Sequence, residues 1–493
     1  MPSVAAMTRI AIIGSGFSGI GAAARLLADG ERDLVVFEKA DDVGGVWREN
    51  SYPGAACDVP SHLYSFSWAP DGRWSRRFAE QPEIHAYLRR VAEAHGVLPH
   101  VRFGTEVRTA DWDGRCWQLV LSDGSSHETD VLIAACGQLS RPRRPDVAGL
   151  DTFAGTVFHS AEWDHDHDLT GRRVAVLGTG ASAIQFVPVI AEQVASLTVF
   201  QRSAPYVIRK PDRAYGARTR ALLERSSAVL AADRLRTYVM CEARSLGFNT
   251  EPRLMRPIEL RFRRHLAKQV ADPALREQLT PTDPIGCKRI LQSNDWYPAL
   301  VEPHVHLVTD RVVEVVPDGV RTADGRLHEV DTLVLGTGFA ATELLLPMQV
   351  TGRDGRRLSD AWADGAEAYL GTTVSGFPNL VLLYGPNTNL GHNSIILMLE
   401  SQIAYVADAL GVLRRGAVAI EVLAGVQRAF NARLQERLAR TVFAGGCRSW
   451  YLTASGRNTQ NWPGTTADFR RRTRKVRLED YEVTPAVRQT VPA

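Results

Sequence analysis

The sequence lacks three things that would each point to a class of protein. No Cys-x-x-Cys pair occurs among its six cysteines, Cys57, Cys116, Cys136, Cys241, Cys287 and Cys447. That scatter argues against a zinc site and a redox dithiol, and predicts reduced structural thiols. No run of about 18 apolar residues is present; the richest, Ile395 to Leu399, is cut by Glu400. The first strand begins near Arg9, leaving no room for a secretory leader, so a cytoplasmic chain without membrane insertion is expected. Net charge is also scarce: 58 Lys and Arg against 55 Asp and Glu leave +3 on 493 residues. So small a surplus implies no nucleic-acid partner. The one basic run, Arg470-Arg471-Arg472 continued by Arg474-Lys475, reads as a solvated face. Oligomeric state is left open.

What is present is ordinary globular composition, 45% hydrophobic and 23% charged, with 40 glycines clustered in short loops. Arg9 to Ile13 reads as a strand, a glycine loop follows, Ala22 to Leu27 reads as helix, and Leu34 to Glu38 reads as a buried strand. This is a βαβ unit, the builder of parallel sheet. Asp113-Gly114 and Asp123-Gly124 flank an alternating stretch, Cys116 to Leu121, as antiparallel hairpins do. A second βαβ unit runs from Arg173–Leu177 to Leu197–Phe200, and the period turns helical from about Lys210 to Gln278. Buried strands are expected at 131–135, 331–335 and 380–383, a long helix from about Ser394 to Leu410, and an irregular tail.

The first glycine loop is Gly14-Ser15-Gly16-Phe17-Ser18-Gly19. In such a loop the first glycine turns, the second lets a pyrophosphate approach the backbone, and the third packs helix on strand. Glu38 lies 24 positions after Gly14. A carboxylate there accepts from ribose hydroxyls and repels a 2′-phosphate, which suits FAD or NAD. The second loop is Gly178-Thr179-Gly180-Ala181-Ser182-Ala183, and 24 positions after Gly178 stands Arg202, followed by Ser203. Arginine and serine there suit a 2′-phosphate, hence NADPH. FAD and NADPH on one chain imply hydride transfer to the flavin. Without a dithiol to receive the electrons, dioxygen is the natural acceptor.

Longer motifs resemble those of class B flavoprotein monooxygenases, and within them the type I Baeyer–Villiger monooxygenases. The fingerprint FxGxxxHxxxW followed by Pro or Asp stands as Phe153, Gly155, His159, Trp163 and Asp164; a second pattern, GGxWxxxxYPGxxxD, stands as Gly44, Gly45, Trp47, Tyr52, Pro53, Gly54 and Asp58. Relatives that oxidise N and S atoms usually carry Tyr or Phe where Trp163 stands. Ile285 to Arg289 resembles the segment holding the family's active-site arginine. Ala56 stands where the family often has Arg.

The resemblance implies an α/β fold with two Rossmann-like dinucleotide-binding domains, for FAD and NADPH, and a helical insertion in the NADPH domain. Residues 1–145 and 336–493 would form the FAD domain, with a mobile C-terminal loop. Residues 146–210 and 281–335 would form the NADPH domain, and 211–280 the insertion. It implies oxygen insertion beside a ketone carbonyl by way of a C4a-peroxyflavin, with the ketone and O2 as partners; N- or S-oxygenation is the alternative. Arg289 would be the catalytic cation, Asp58 its partner, and Lys288 a second reader of the 2′-phosphate. Val46, Trp47, Cys57, Asp58 and Tyr64 would line the flavin, and the backbone of Val107 would meet the adenine; core packing is the competing reading for Tyr64 and Val107. Gln185 would join the second cofactor site. Trp450, in the loop Cys447 to Tyr451 that with Asn458 to Gly464 resembles the mobile loop, would contact NADPH. His159 would serve as a hinge rather than an acid or base. His165 and His167 suggest a metal tract, but a solvated loop fits better and no metal is expected.

Overall fold

The structure is a computed structural model and describes residues 8–447 and 449–485. Two five-stranded, all-parallel sheets organise it, and they share one plan. In the first, the strand order is Leu380–Leu382, Val131–Ala134, Ile10–Ile13, Leu34–Phe37, Val101–Arg102. In the second it is Val305–Val308, Ser196–Phe200, Arg173–Leu177, Thr332–Leu335, Thr156–His159. In each sheet the strand that enters a glycine loop sits at the centre, flanked by the strand leading to the predicted Glu38 or Arg202 and by the returning strand. Ligands bind outside the carboxyl ends of strands in such sheets, so both loops face usable crevices.

The second sheet is nested within the first, because the first is completed only by Leu380–Leu382. The chain therefore crosses between the sheets twice, and the two crossings run together. Arg143 N–H donates to Gly338 O at 2.8 Å and Ala340 N–H to Arg141 O at 3.0 Å. Each sheet also carries a smaller one. Val107–Trp112, Trp117–Leu121 and Ser126–Thr129 form the expected hairpins, joined by Gln349–Thr351. An unforeseen meander of Val312–Val316, Gly319–Thr322 and Leu327–Glu329 accompanies the second sheet. The helical stretch after Lys210 is an insertion of helices between Ala217 and Gln278.

Three expectations need correction. The tail is not irregular: Ala424–Leu438 and Thr466–Arg472 are helices, and Ala417–Val422 pairs antiparallel with Tyr481–Pro485. Its short elements are amphipathic only against the rest of the core, where Phe430, Leu434, Phe469 and Tyr481 are buried, so local pattern understated them. Second, helix Ile395–Arg414 is long and apolar enough to cross a membrane, although most of it is buried within the protein. It belongs to the core of the first sheet, together with Ile20, Phe66, Val131 and Ile133. Third, Cys287 and Cys447, 160 positions apart, are joined as a disulfide with their Cα atoms 6.2 Å apart. The fold brings the segment before Arg289 against the C-terminal loop, a proximity that sequence spacing does not reveal. Cys57, Cys116, Cys136 and Cys241 are free.

Candidate active site

Both glycine loops turn in the same way. Gly14 has φ +98° and Gly178 φ +108°, a region that favours glycine. A Cβ on Gly14 would stand 2.8 Å from Ala135 O, and one on Gly178 2.5 Å from Gly336 O. Each turn is thus pressed against the end of its returning strand. Gly16 faces Gly45 across the first loop, and a Cβ on Gly45 would come within 3.1 Å of Gly16 Cα. At the matching position of the second loop, Gly180 faces open space. Phe17, which opens helix Phe17–Ala28, is buried against Tyr64 and Phe66.

Glu38 is buried beside the first loop. Its Oε2 accepts from Ser15 N–H at 2.8 Å and Ser15 Oγ at 2.7 Å, and its Oε1 from Ala40 N–H at 2.9 Å. A carboxylate has about four acceptor positions, so Glu38 is held rigidly with capacity left for a hydroxyl. At the second loop, Arg202 and Ser203 are exposed, and Arg202 forms no salt bridge among the described residues. Lys288 joins them from a distant segment, with Nζ 3.0 Å from Ser203 Oγ and 2.6 Å from Asp283 Oδ2. Thr179 Oγ1 donates to Ser203 O at 3.4 Å. The donor set predicted for a phosphate is assembled in one place.

Asp58 and Arg289, 231 positions apart, form an ion pair. Arg289 Nη2 and Nε reach Asp58 Oδ2 at 2.5 and 3.0 Å. Asp58 draws the arginine's affinity for its proton upward against the effect of burial. Burial pushes the Asp58 carboxyl up, but Arg289 outweighs it and holds the group below its ordinary range. Both stay charged at neutral pH. Around them stand groups that stay neutral: burial raises Tyr64, Tyr384 and Cys57, and pushes Tyr451 up to about 12. Tyr384 carries no functional motif, and only its proximity to Arg289 in space reveals it, while Tyr451 ends the loop Cys447 to Tyr451 that the sequence already marks.

The remaining predicted positions divide. Val46 and Trp47 open a short helix, Val46–Glu49, and Trp47 Nε1 donates to Tyr64 OH at 3.1 Å. Cys57 is buried next to Asp58, and its Sγ accepts from Val59 N–H at 3.3 Å. Val107 is a buried core residue at the start of its strand. Gln185 spans the two halves: its Nε2 donates to Ala56 O at 2.9 Å and its Oε1 accepts from Tyr52 OH at 2.9 Å. Ser182 precedes helix Ala183–Ala191, with Ala181 exposed and Ala183 buried. Trp450 packs on Tyr451 with ring centroids 4.5 Å apart; Arg448 lies outside the described residues. Asn458 to Asn461 are buried and bonded to Asn387 and Asn389.

His159 ends the edge strand Thr156–His159, and its Nδ1 accepts from Ala161 N–H at 3.1 Å. Burial lowers its pKa, which keeps the ring neutral, and it packs edge-on against Phe339 at the paired crossings. His165 and His167 bond to the hydroxyls of Ser51 and Thr332, each at 2.8 Å.

Comparison with known proteins accords with this geometry. A family described as flavin-binding monooxygenase-like matches residues 7–240. A Baeyer–Villiger monooxygenase of Streptomyces coelicolor is 49% identical over 96% of this chain and 92% of its own length. One of Pseudomonas aeruginosa is 47% identical over 98% of this chain and 93% of its own. Among solved structures, an oxidised steroid monooxygenase bound to NADP superposes with a TM-score of 0.86 at 32% identity, covering 97% of this chain and 100% of the other. A closed cyclohexanone monooxygenase gives 0.87 at 28% identity, covering 97% and 99%.

Proposed function

The chain belongs to the Baeyer–Villiger monooxygenases of the flavin-binding monooxygenase family, and on that premise we propose that Arg289, oriented by Asp58, is the cation around which oxygen is inserted beside a ketone carbonyl. The protein is an NADPH- and O2-dependent flavoprotein. The residues present fit both cofactors: the Gly16–Gly45 cradle and Glu38 suit the diphosphate and ribose of FAD, and Arg202, Ser203 and Lys288 suit the 2′-phosphate of NADPH. When bound, NADPH supplies a hydride to FAD, and the reduced flavin supplies activated dioxygen.

In this reading residues 1–145 and 336–493 hold FAD, and residues 146–210 and 281–335 hold NADPH, with 211–280 inserted. Glu38 accepts from ribose hydroxyls. Asp58 fixes the plane of Arg289 through Nε and Nη2, which turns the rest of the guanidinium toward a reactant. Arg289 cannot lose its charge at working pH, so it can stabilise negative charge that develops as oxygen adds to the carbonyl. Tyr64, Tyr384 and Tyr451 stay protonated and offer no competing charge. His159, neutral and packed on the paired crossings, acts as a hinge between the two sheets, and Gln185 ties them together.

The observation that carries this reading is the Asp58–Arg289 ion pair, with Asp58 just after the Ala56 that Gln185 ties to the second sheet and Arg289 just after the Lys288 that reaches Ser203. The test is NADPH consumption with a panel of ketones against a panel of sulfides and amines, with products identified by mass spectrometry. Esters or lactones are expected from ketones; oxidation confined to sulfides and amines would overturn the assignment. A second expectation concerns the coenzyme. Arg202→Ala should raise the KM for NADPH about tenfold or more, the scale of one charge-assisted contact, with little change for NADH. Equal efficiency of the native enzyme with both coenzymes would remove Arg202 and Lys288 from the role.

A further inference from the structure

Helix Ser227–Ala243 of the insertion is apolar on two opposite sides. Leu230, Thr237 and Cys241 are buried toward the protein. At 100° per residue, Ala228, Ala232, Leu235, Val239 and Ala243 follow one another along the other side, and all five are exposed. Leu235 is 62% exposed, Val239 56% and the adjoining Met240 43%. Contiguous exposed apolar side chains rimmed by polar groups mark an interaction site, so this side wants a covering. Its charged groups are divided: Arg234 turns inward and donates to His62 O at 2.6 Å. The acids turn inward, with Asp233 2.7 Å from His62 Nδ1 and Glu242 accepting from Asn393 Nδ2 at 2.6 Å. Arg236 and Arg244 are exposed. Residues 211–280 hold fourteen Lys and Arg against eight Asp and Glu, a net +6 in a chain of net +3.

The basic run near the C-terminus adjoins this helix. Thr466 Oγ1 donates to Glu242 Oε2 at 3.0 Å and Ala467 N–H to Glu242 Oε1 at 3.2 Å. Arg470, Arg471 and Arg472 follow on the same short helix, Thr466–Arg472, and all are exposed. A cleft of about 660 Å3 opens beside them, walled by Arg433, Arg474 and Lys475 above a floor of Tyr369 and Phe430.

We propose that this face docks on an anionic lipid surface. Leu235, Val239 and Met240 would enter the boundary between headgroups and acyl chains, and the neighbouring arginines would meet the anionic headgroups. Apolar side chains bordered by cations are the pattern such surfaces select. A second copy fits less well, because a two-fold contact would set two insertions of net +6 and their Arg236 side chains against each other.

Co-sedimentation of the FAD-loaded enzyme with vesicles tests this. Vesicles of phosphatidylcholine alone should not bind it, and vesicles with about a third phosphatidylglycerol should. Binding should weaken in about 1 M salt, where screening acts within about 3 Å. Leu235→Glu with Val239→Glu should lower vesicle affinity at least about tenfold, and so should Arg470→Gln with Arg471→Gln and Arg472→Gln. Native FAD content and NADPH oxidation in both variants certify folding. No binding to anionic vesicles, or binding that neither set of substitutions changes, would overturn the proposal. A dimer that Leu235→Glu with Val239→Glu dissociates would give the face to a second copy instead. Equal binding to soluble polyglutamate, indifferent to the Leu235 and Val239 changes, would reduce it to bare charge.

Discussion

Arg289→Ala is expected to lower ester formation by about a hundredfold or more, the loss seen when one strong electrostatic donor is removed from a reaction site. The same variant should still let NADPH bleach the flavin under anaerobic conditions. The reason is a division of labour. Hydride transfer needs the two cofactors aligned, a task the proposal gives to the glycine loops, Glu38, Arg202 and Lys288. Negative charge at the reacting oxygen arises only after dioxygen enters, and Arg289 is the cation proposed to meet it. Electrons that no longer reach the ketone should appear as hydrogen peroxide. Stopped-flow reduction followed by ester and peroxide assays measures both halves. An ester yield per NADPH close to native would remove Arg289 from the mechanism.

Asp58 sharpens the same test. Its carboxyl is held below the ordinary range by Arg289, so the pair is intact above the usual carboxylate pKa and is lost only as pH falls through the lowered value. Loss of ester formation on the acid side near neutrality would therefore have to come from another group.

The two dinucleotide sites were legible because their information is local. Gly14 with Glu38 and Gly178 with Arg202 lie at equal spacing, and the strand, turn and helix between them follow from periodicity and glycine alone. Asp58 and Arg289 were reached only through family motifs, since 231 positions separate them. Tyr384 and the Cys287–Cys447 link were not legible at all. Each depends on a long-range return of the chain, and no local pattern encodes it. Gln185 shows the converse: it lies just past the second loop, yet its side chain is committed to Ala56 and Tyr52 across the gap between sheets.

Gly19→Ala should strip the protein of FAD, while its counterpart Ala183→Gly should leave NADPH binding close to native. The two positions are equivalent in the loops but not in space. A Cβ on Gly19 would lie 1.8 Å from Gly14 O, an impossible approach, and the opposing atom is backbone that is itself fixed by Gly14 N–H donating to Phe37 O at 2.8 Å. The helix must then move off the strand, and the turn proposed to receive the diphosphate opens with it. Ala183 already carries a methyl there and is fully buried, so the second loop has room for the group that the first excludes. Overpacking a side-chain core costs about 1–3 kcal/mol; against fixed backbone the cost falls on the loop itself, and FAD affinity should drop at least about tenfold. The flavin is held without a covalent bond in this reading, so the ratio of flavin to protein absorbance after gel filtration, and the FAD released by acid, report the loss directly. A Gly19→Ala protein that keeps its full complement of FAD would show that the turn can yield and that the flavin site does not depend on the third glycine.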